Sequence, residues 1–360
     1  MLLTIIFDSR VGFYGTVVIS LIAGGLRGND YSFATMNIFA GALSVYTVRD
    51  IKNRAQVFRS FFFILIGYGI SLLAFGLERF ESIDIILIEL AFATSNAFIS
   101  PVFTFGMLIF FERIFKITTD LTLLELTDFN RPLLKDLAKN APGTFTHLMT
   151  VGSLVESAAE AINANPLLAR VGAYYHDIGK AIAPYNFVEN QMQDENRHEN
   201  LDPKDSVRLI IKHIDDGIQL AKEKLLPQEI IDFIPMHHGT MVISFFYEKA
   251  KVAYGEENVD INDFRYKGPK PNSKETALVM LADACESTVR SIQEPDPHKV
   301  ENVINSLIKN RVADGQLDDS PITLYDLKRI KKSFLNSLIG QSHKRIRYPK
   351  QDEMENQQDE

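Results

Sequence analysis

The run SFFFILIGYGISLLAFGL (60–77) contains no charged side chain, and it limits what this chain can become more than any other stretch. As a helix it would be about 27 Å long, close to the ~30 Å hydrocarbon thickness of a bilayer. Helices packed in water-soluble proteins keep a polar stripe. A run that is apolar all round needs lipid, or other such helices, as its surroundings. Stretches at about 11–27, 31–48 and 83–111 are similarly long and apolar. Four membrane crossings are therefore expected between residues 1 and 116.

Composition divides at the same place. Residues 1–116 hold 17 of the 84 charged side chains and 17 of the 25 phenylalanines; residues 117–360 hold the other 67 charges and all eight histidines. The net charge of −8 splits into about +1 and −9. No basic patch suited to a nucleic-acid backbone stands out, so no nucleic-acid partner is expected. The single cysteine, Cys285, excludes an intrachain disulfide and fits a reducing compartment for the polar part. Its expected role is that of a small buried filler.

The basic segment RDIKNRAQVFR (49–59) belongs in the cytoplasm by the positive-inside rule. If 83–111 crosses once, kinked at Pro101 rather than broken into a pair at SNAFISP (95–101), everything after residue 112 lies on that side too. The expectation is a multi-pass protein of the cell membrane, with the lipid bilayer as a partner and the polar part cytoplasmic. Glu89 is expected to be solvated near the outer interface. MLLTIIFDSR, with early Asp8 and Arg10, fits a secretory signal poorly. A start so close to a membrane segment suggests a piece of a longer protein.

Residues 117–141 read as a polar helical connector, with Pro132 in a first turn. From 142 to about 340 the hydrophobic period is helical. NPLLARVGAYYHDIGK opens with an Asn cap and a Pro, and Gly179 is expected to end it. DPKDSVRLIIKHIDDGIQLAKEKLL repeats the Asp-Pro start, and PQEIIDFIPMHHGT and SKETALVMLADACESTVRSI read as two more helices. No alternating pattern of useful length occurs. The fold class expected is all-α: transmembrane helices over 1–116, the connector, a helical bundle over 142–340, and a disordered tail over 341–360. The segments 184–201 and 250–272 are expected to be long functional loops.

Six of the eight histidines fall between 147 and 238. His147 opens one helix, His176 and Asp177 close the next, and His213 lies midway along a third. His237 and His238 end a fourth, and Asp283 lies inside a fifth. Side chains converging at one end of a bundle are how helical bundles build metal sites. Neighbouring helical residues point ~100° apart, so one member of the His-Asp pair can bind a single metal while the carboxylate reaches between two. Burying five imidazoles and two carboxylates without compensation would cost several kcal/mol. Imidazole and carboxylate donors suit Fe, Mn or Zn, and the lack of cysteine ligands argues against structural zinc. His198 is read as a solvated or pocket-rim residue, and His298 and His343 as surface residues.

The order H…HD…H…HH…D resembles that of the HD-domain phosphohydrolases. APGTFTHLM, LLARVGAYYHDIGK, FVENQ, HHGT and GPKPNSKETALVMLADACE, with FFERIFKITTDLTLLELTD at the end of the membrane part, are similar to one branch of them. That branch, the PgpH type, comprises membrane receptors with seven transmembrane helices and an intracellular HD domain. The resemblance covers nearly the whole chain. It departs at NRHE (196–199), where the branch has NPHE, and in lacking the branch's extracellular domain and further transmembrane helices.

The resemblance implies two divalent metal ions, Fe or Mn, and hydrolysis of cyclic di-AMP to pApA by metal-activated hydroxide attacking in line. One metal would be held by His147, His176, Asp177 and Asp283, and the other by His213, His237 and His238, with Asp177 bridging. Lys180 is expected to meet the substrate phosphate or leaving group; Thr240 and Lys274 are weaker substrate-binding candidates. A homodimer is an assembly this reading admits. Three alternatives stand beside it. One is a cyclic di-GMP phosphodiesterase of the HD-GYP type, whose GYP signature is absent here. The others are a hydrolase of other nucleotides, and a nucleotide-binding signalling pseudoenzyme expected to lack a ligand.

Overall fold

The computed structural model describes residues 1–51, 53–191, 197–292 and 296–341. His343 and the tail expected from 341 onward lie outside the described residues, apart from Gln341. The chain divides into two compact units, Met1–Phe129 and Asn130–Glu360.

The first unit contains α1 (Leu2–Ile6), α2 (Ser9–Leu26), α3 (Tyr31–Val48), α4 (Ala55–Glu78), α5 (Ile83–Phe115) and α6 (Asp120–Leu126). Asp8 and Asp30 cap α2 and α3 by accepting the amides of Val11 and Phe33. Helices α2 to α5 pack in chain order. Burial is inverted relative to a water-soluble bundle. Ser20, Ser44, Ser60, Ser71 and Thr104 are buried, whereas Ile19, Phe62, Phe92 and Phe103 are each at least 63% exposed. In water so much apolar surface is unfavourable; in hydrocarbon it is the solvated face, and the polar groups must find partners inside. The Tyr68 hydroxyl does so: it donates to Asn37 Oδ1 at 2.7 Å and accepts from Asn96 Nδ2 at 2.9 Å, linking α3, α4 and α5. Gly67 lets α4 close on α3, since a Cβ there would lie 2.7 Å from Ala40 Cα.

Among the described residues three helices, α2, α4 and α5, are long and apolar enough to cross a membrane. The expected fourth crossing, α3, is an 18-residue helix but is not among them. It carries Ser32, Thr35, Asn37, Ser44 and Thr47 and is flanked by α2 and α4. Helix α5 is a single 33-residue helix that includes Pro101, with no break at 95–101. Glu89, expected at a solvated interface, lines a cavity of about 340 Å³ with Arg27, Asp30, Arg79 and Glu81.

The second unit begins with α7 (Pro132–Asn140), α8 (Pro142–Ala161) and α9 (Pro166–Tyr175). It continues with α10 (Pro203–Glu223), α11 (Gln228–Ile231), α12 (Phe233–Met236) and α13 (Ser244–Tyr254), and closes with α14 (Lys274–Arg290), α15 (Pro297–Ala313) and α16 (Leu324–Gln341). Asn165, Asp202, Ser273 and Asp296 cap α9, α10, α14 and α15 with their side chains. The core lies among α8, α9, α14, α15 and α16, filled by residues such as Leu154, Ala173, Leu278, Ile304 and Phe334. Cys285 is fully buried there, and burial pushes its thiol up to about 12. No strand occurs among the described residues, only an isolated bridge between Val242 and Arg265. The all-α expectation is borne out.

Three local expectations are corrected. The single helix read over PQEIIDFIPMHHGT is two short helices meeting at Asp232. The loop expected over 250–272 starts inside α13 and includes short 3₁₀ turns at 256–258 and 261–264. Gly179 does not end a helix: α9 stops at Tyr175, and Ile178–Ala181 is a 3₁₀ turn. The glycine is needed for close approach, because a Cβ would lie 1.9 Å from the His213 carbonyl oxygen and 2.6 Å from the Gly217 amide nitrogen on α10. Gly179→Ala should therefore lose about 1–3 kcal/mol or more through overpacking, seen as a lower Tm by circular dichroism. An unchanged Tm would contradict this close approach.

Candidate metal centre

Three helix ends and two helix middles supply the side chains. His147 lies near the start of α8, His176 caps the C-terminus of α9, and Asp177 follows it. His213 is on α10, His237 and His238 follow α12, and Asp283 is on α14. These seven residues come together. The donor atoms of His147, His176 and Asp283 lie within 4.8 Å of one another, as do those of His213, His237 and His238. A third group within the same distance, His176, Asp177 and His237, overlaps the first two and joins them.

The carboxylate of Asp177 is 1% exposed. Its Oδ2 lies 3.1 Å from His176 Nε2 and 2.9 Å from Lys180 Nζ, and its Oδ1 lies 3.4 Å from His213 Nε2 and 3.6 Å from His237 Nε2. Burial favours the neutral acid, but Lys180, His176 and His237 outweigh it and hold Asp177 well below the usual carboxylate range. Asp283 is partly buried, its side chain 14% exposed; burial favours its neutral acid, but the contacts with His147 prevail and keep its pKa lowered. Burial holds His213, His237 and His238 below the ordinary imidazole value, His237 at about 3, so these rings are neutral. For His147 burial acts in the same direction, but the hydrogen bonds it donates to Asp283 and Glu286 prevail and push it up to about 9.

The tautomers are constrained. His176, His213 and His237 donate Nδ1–H to the carbonyls of Ala173, Ile210 and Phe233 at 2.7, 2.6 and 3.2 Å. This leaves Nε2 of each ring as a lone-pair donor. Those three Nε2 atoms, with His238 Nδ1 and Asp177 Oδ1, are buried and have no hydrogen-bond partner. Five unsatisfied polar atoms facing one another are unfavourable for protein alone, but they suit a divalent cation. The residues therefore fit the metal that the motif implies.

The remaining expected residues fare differently. Lys180 is brought to the cluster but is already engaged. It pairs with Asp177 and with Glu189, both at 2.9 Å, and lies 4.9 Å from the Phe187 ring centroid. It also lines a cleft of about 440 Å³ with His147, Glu189, Ser287 and Arg290. Thr240 exchanges hydrogen bonds with Gln316. Lys274 pairs with Asp326 at 3.3 Å and donates to the Ile162 carbonyl. It opens α14, about 13 Å along the axis from Asp283, so the structure does not bring it to the cluster. His298 is exposed, whereas His198, expected at a solvated rim, is buried with Nε2 2.9 Å from the Asn186 carbonyl.

Sequence reasoning missed Glu286, Arg290, Glu189 and Tyr266. Glu286 follows Asp283 by three residues and shares its helix face, a signal available in DACE. Tyr266, stacked on His238 with centroids 4.0 Å apart, comes from a loop and left none.

Comparison with known proteins places these features in a family. Residues 1–119 match the model described as 7TM receptor with intracellular HD hydrolase, and residues 144–288 match the HD domain. The chain is 38% identical over 355 residues to the cyclic-di-AMP phosphodiesterase PgpH of Listeria monocytogenes, covering 97% of this chain and 49% of that protein. Against the PgpH of Bacillus subtilis it is 34% identical over 359 residues, covering 97% and 50%. The chain thus spans about half the length of the curated relatives it matches. The crystal structure of the L. monocytogenes PgpH HD domain in complex with cyclic-di-AMP is 44% identical, with a TM-score of 0.57 over 61% of this chain and all of that one.

The ionisation pattern predicts the pH dependence of the metal-stripped chain. His213, His237 and His238 have folded pKa values below 6.5. As pH falls through 6.5 the unfolded chain takes up protons that the folded chain refuses, and stability drops. His147 has the opposite sign: its folded value of about 9 exceeds 6.5. Its contribution is complete below 6.5 and is lost as pH rises through 9. Melting of the metal-stripped chain should show a Tm maximum between about pH 6.5 and 7. A Tm flat from about pH 5 to 9 would contradict the assignments.

Proposed function

This chain belongs to the family of seven-transmembrane receptors with an intracellular HD hydrolase, and from that premise we propose that it is a membrane-anchored, metal-dependent phosphodiesterase acting on cyclic di-AMP. The observation that carries the reading is the set of five buried, unpartnered donor atoms on His176, Asp177, His213, His237 and His238. A nucleotide-binding pseudoenzyme is disfavoured because no member of the donor set is missing.

His147, His176, Asp177 and Asp283 would hold one divalent ion, and His213, His237 and His238 the other. Fe or Mn suits this nitrogen and oxygen donor set. When bound, the two ions supply Lewis acidity that activates water and neutralises charge developing on the phosphodiester, giving linear pApA. The protein does the rest. Main-chain carbonyls lock three imidazoles with Nε2 available. Lys180 keeps Asp177 ionised while lining the cleft beside His147. From that position its cation is placed to meet a non-bridging phosphate oxygen, at the cost of weakening its pairing with Glu189. The cleft wall formed by Lys180, Ser287 and Arg290 offers two cations and a hydroxyl to an anionic substrate.

The membrane unit anchors this chemistry in the cell membrane as a multi-pass segment, with the HD domain on the cytoplasmic side where the basic segment 49–59 is retained. The test uses the full chain in detergent, loaded with Mn²⁺, with formation of linear dinucleotide timed from cyclic di-AMP and cyclic di-GMP. Turnover of the first and little of the second is expected; failure with both would overturn the reading. Asp177→Ala should lose bound metal and lower turnover by at least ~10³-fold together, as expected when metal chemistry is removed. Retained turnover would refute the role given to Asp177.

A further inference from the structure

His147 differs from the other imidazoles in what fixes its tautomer. His176, His213 and His237 use main-chain carbonyls one turn back on their own segments. His147 instead turns Nδ1 toward Glu286 Oε2 at 2.5 Å, while its Nε2 lies 3.0 Å from Asp283 Oδ1. Glu286 is 4% exposed. Arg290, one turn further along α14, donates to Glu286 Oε1, and its Nη2 lies 3.4 Å from His147 Nδ1.

We propose that Glu286 is a positioning residue of the metal centre: accepting the Nδ1 proton of His147, it commits the ring to the tautomer whose Nε2 lone pair faces Asp283 and the ion. The inference rests on the metal reading above. A carbonyl can fix a tautomer, but a carboxylate also raises the basicity of the ring and strengthens its donation to a cation. Glu286 is not itself a ligand. It meets the ring at the nitrogen opposite the one beside Asp283, and Arg290 occupies its other oxygen. Arg290 has a second consequence. Without Glu286, the guanidinium would be left facing Nδ1 and would favour the tautomer that accepts there, moving the proton to Nε2 and blocking the ligand. Balance of the buried charge and control of the ring are thus two parts of one arrangement on a single helix face.

The test is a titration of the purified full chain in detergent with Mn²⁺, following the magnetic-resonance signal of the free ion. Wild-type chain should bind two ions. Glu286→Gln, nearly equal in volume, should bind one with unchanged affinity and the other about 10–100-fold more weakly, the usual effect of losing an outer-shell partner. Excess Mn²⁺ should restore kcat while KM for cyclic di-AMP stays near wild type; a variant damaged only in its packing would not be rescued by metal. Glu286→Ala should show the same selective loss, and if it fails to fold, Glu286→Gln alone decides. Wild-type affinity at both sites in a folded Glu286→Gln chain would overturn the inference. A wild-type chain that binds no Mn²⁺ would instead overturn the metal reading, and this inference with it.

Discussion

The ionised carboxylate of Asp177, withdrawn from water and ringed by His176, His213, His237 and Lys180, sets the terms for the second unit. An uncompensated carboxylate in such surroundings would be strongly disfavoured, so the fold has to deliver its partners. Helix α9 stops at Tyr175 to place His176 and Asp177 at its end, and the 3₁₀ turn that follows brings Lys180 back onto Asp177. That return path runs against α10 so closely that only a glycine fits at 179. Helices α10 and α12 then present His213 and His237 from the other side. Backbone geometry, tautomer control and charge balance are here one problem with one solution.

The two units obey the same rule in different solvents. In the second unit apolar side chains fill the interior, and the buried, unpartnered donors of His176, Asp177, His213, His237 and His238 face one another. In the first, apolar side chains face outward, and Asn37, Tyr68 and Asn96 satisfy one another inside. A family that joins a membrane segment to an HD hydrolase combines both solutions in one chain.

Much of this was legible in the sequence because it depends on period and spacing. Uncharged runs, Asp-Pro and Asn-Pro helix starts, and the order of histidines and aspartates define helices and bring seven donors toward one end of a bundle. What could not be read depends on contacts distant in sequence. Gly179 looked like a helix terminator, since glycine commonly ends helices; its actual constraint is the His213 carbonyl, 34 residues away. Lys274 reads as a weaker substrate-binding candidate, but Asp326 and the Ile162 carbonyl claim it. Helix α3 has the length read for a crossing, and it is flanked by α2 and α4 with Ser32 and Ser44 buried. Glu286 was within reach, one turn after Asp283, yet its partner His147 lies 139 residues upstream.

The central claim is that the unpartnered nitrogens and the Asp177 carboxylate form one two-metal centre. Anomalous X-ray scattering from crystals of the Mn²⁺-loaded chain tests it most directly. The account predicts two peaks with Asp177 between them, one bordered by His147, His176 and Asp283 and the other by His213, His237 and His238. Peaks confined to exposed acidic residues, with the histidine cluster empty, would contradict it.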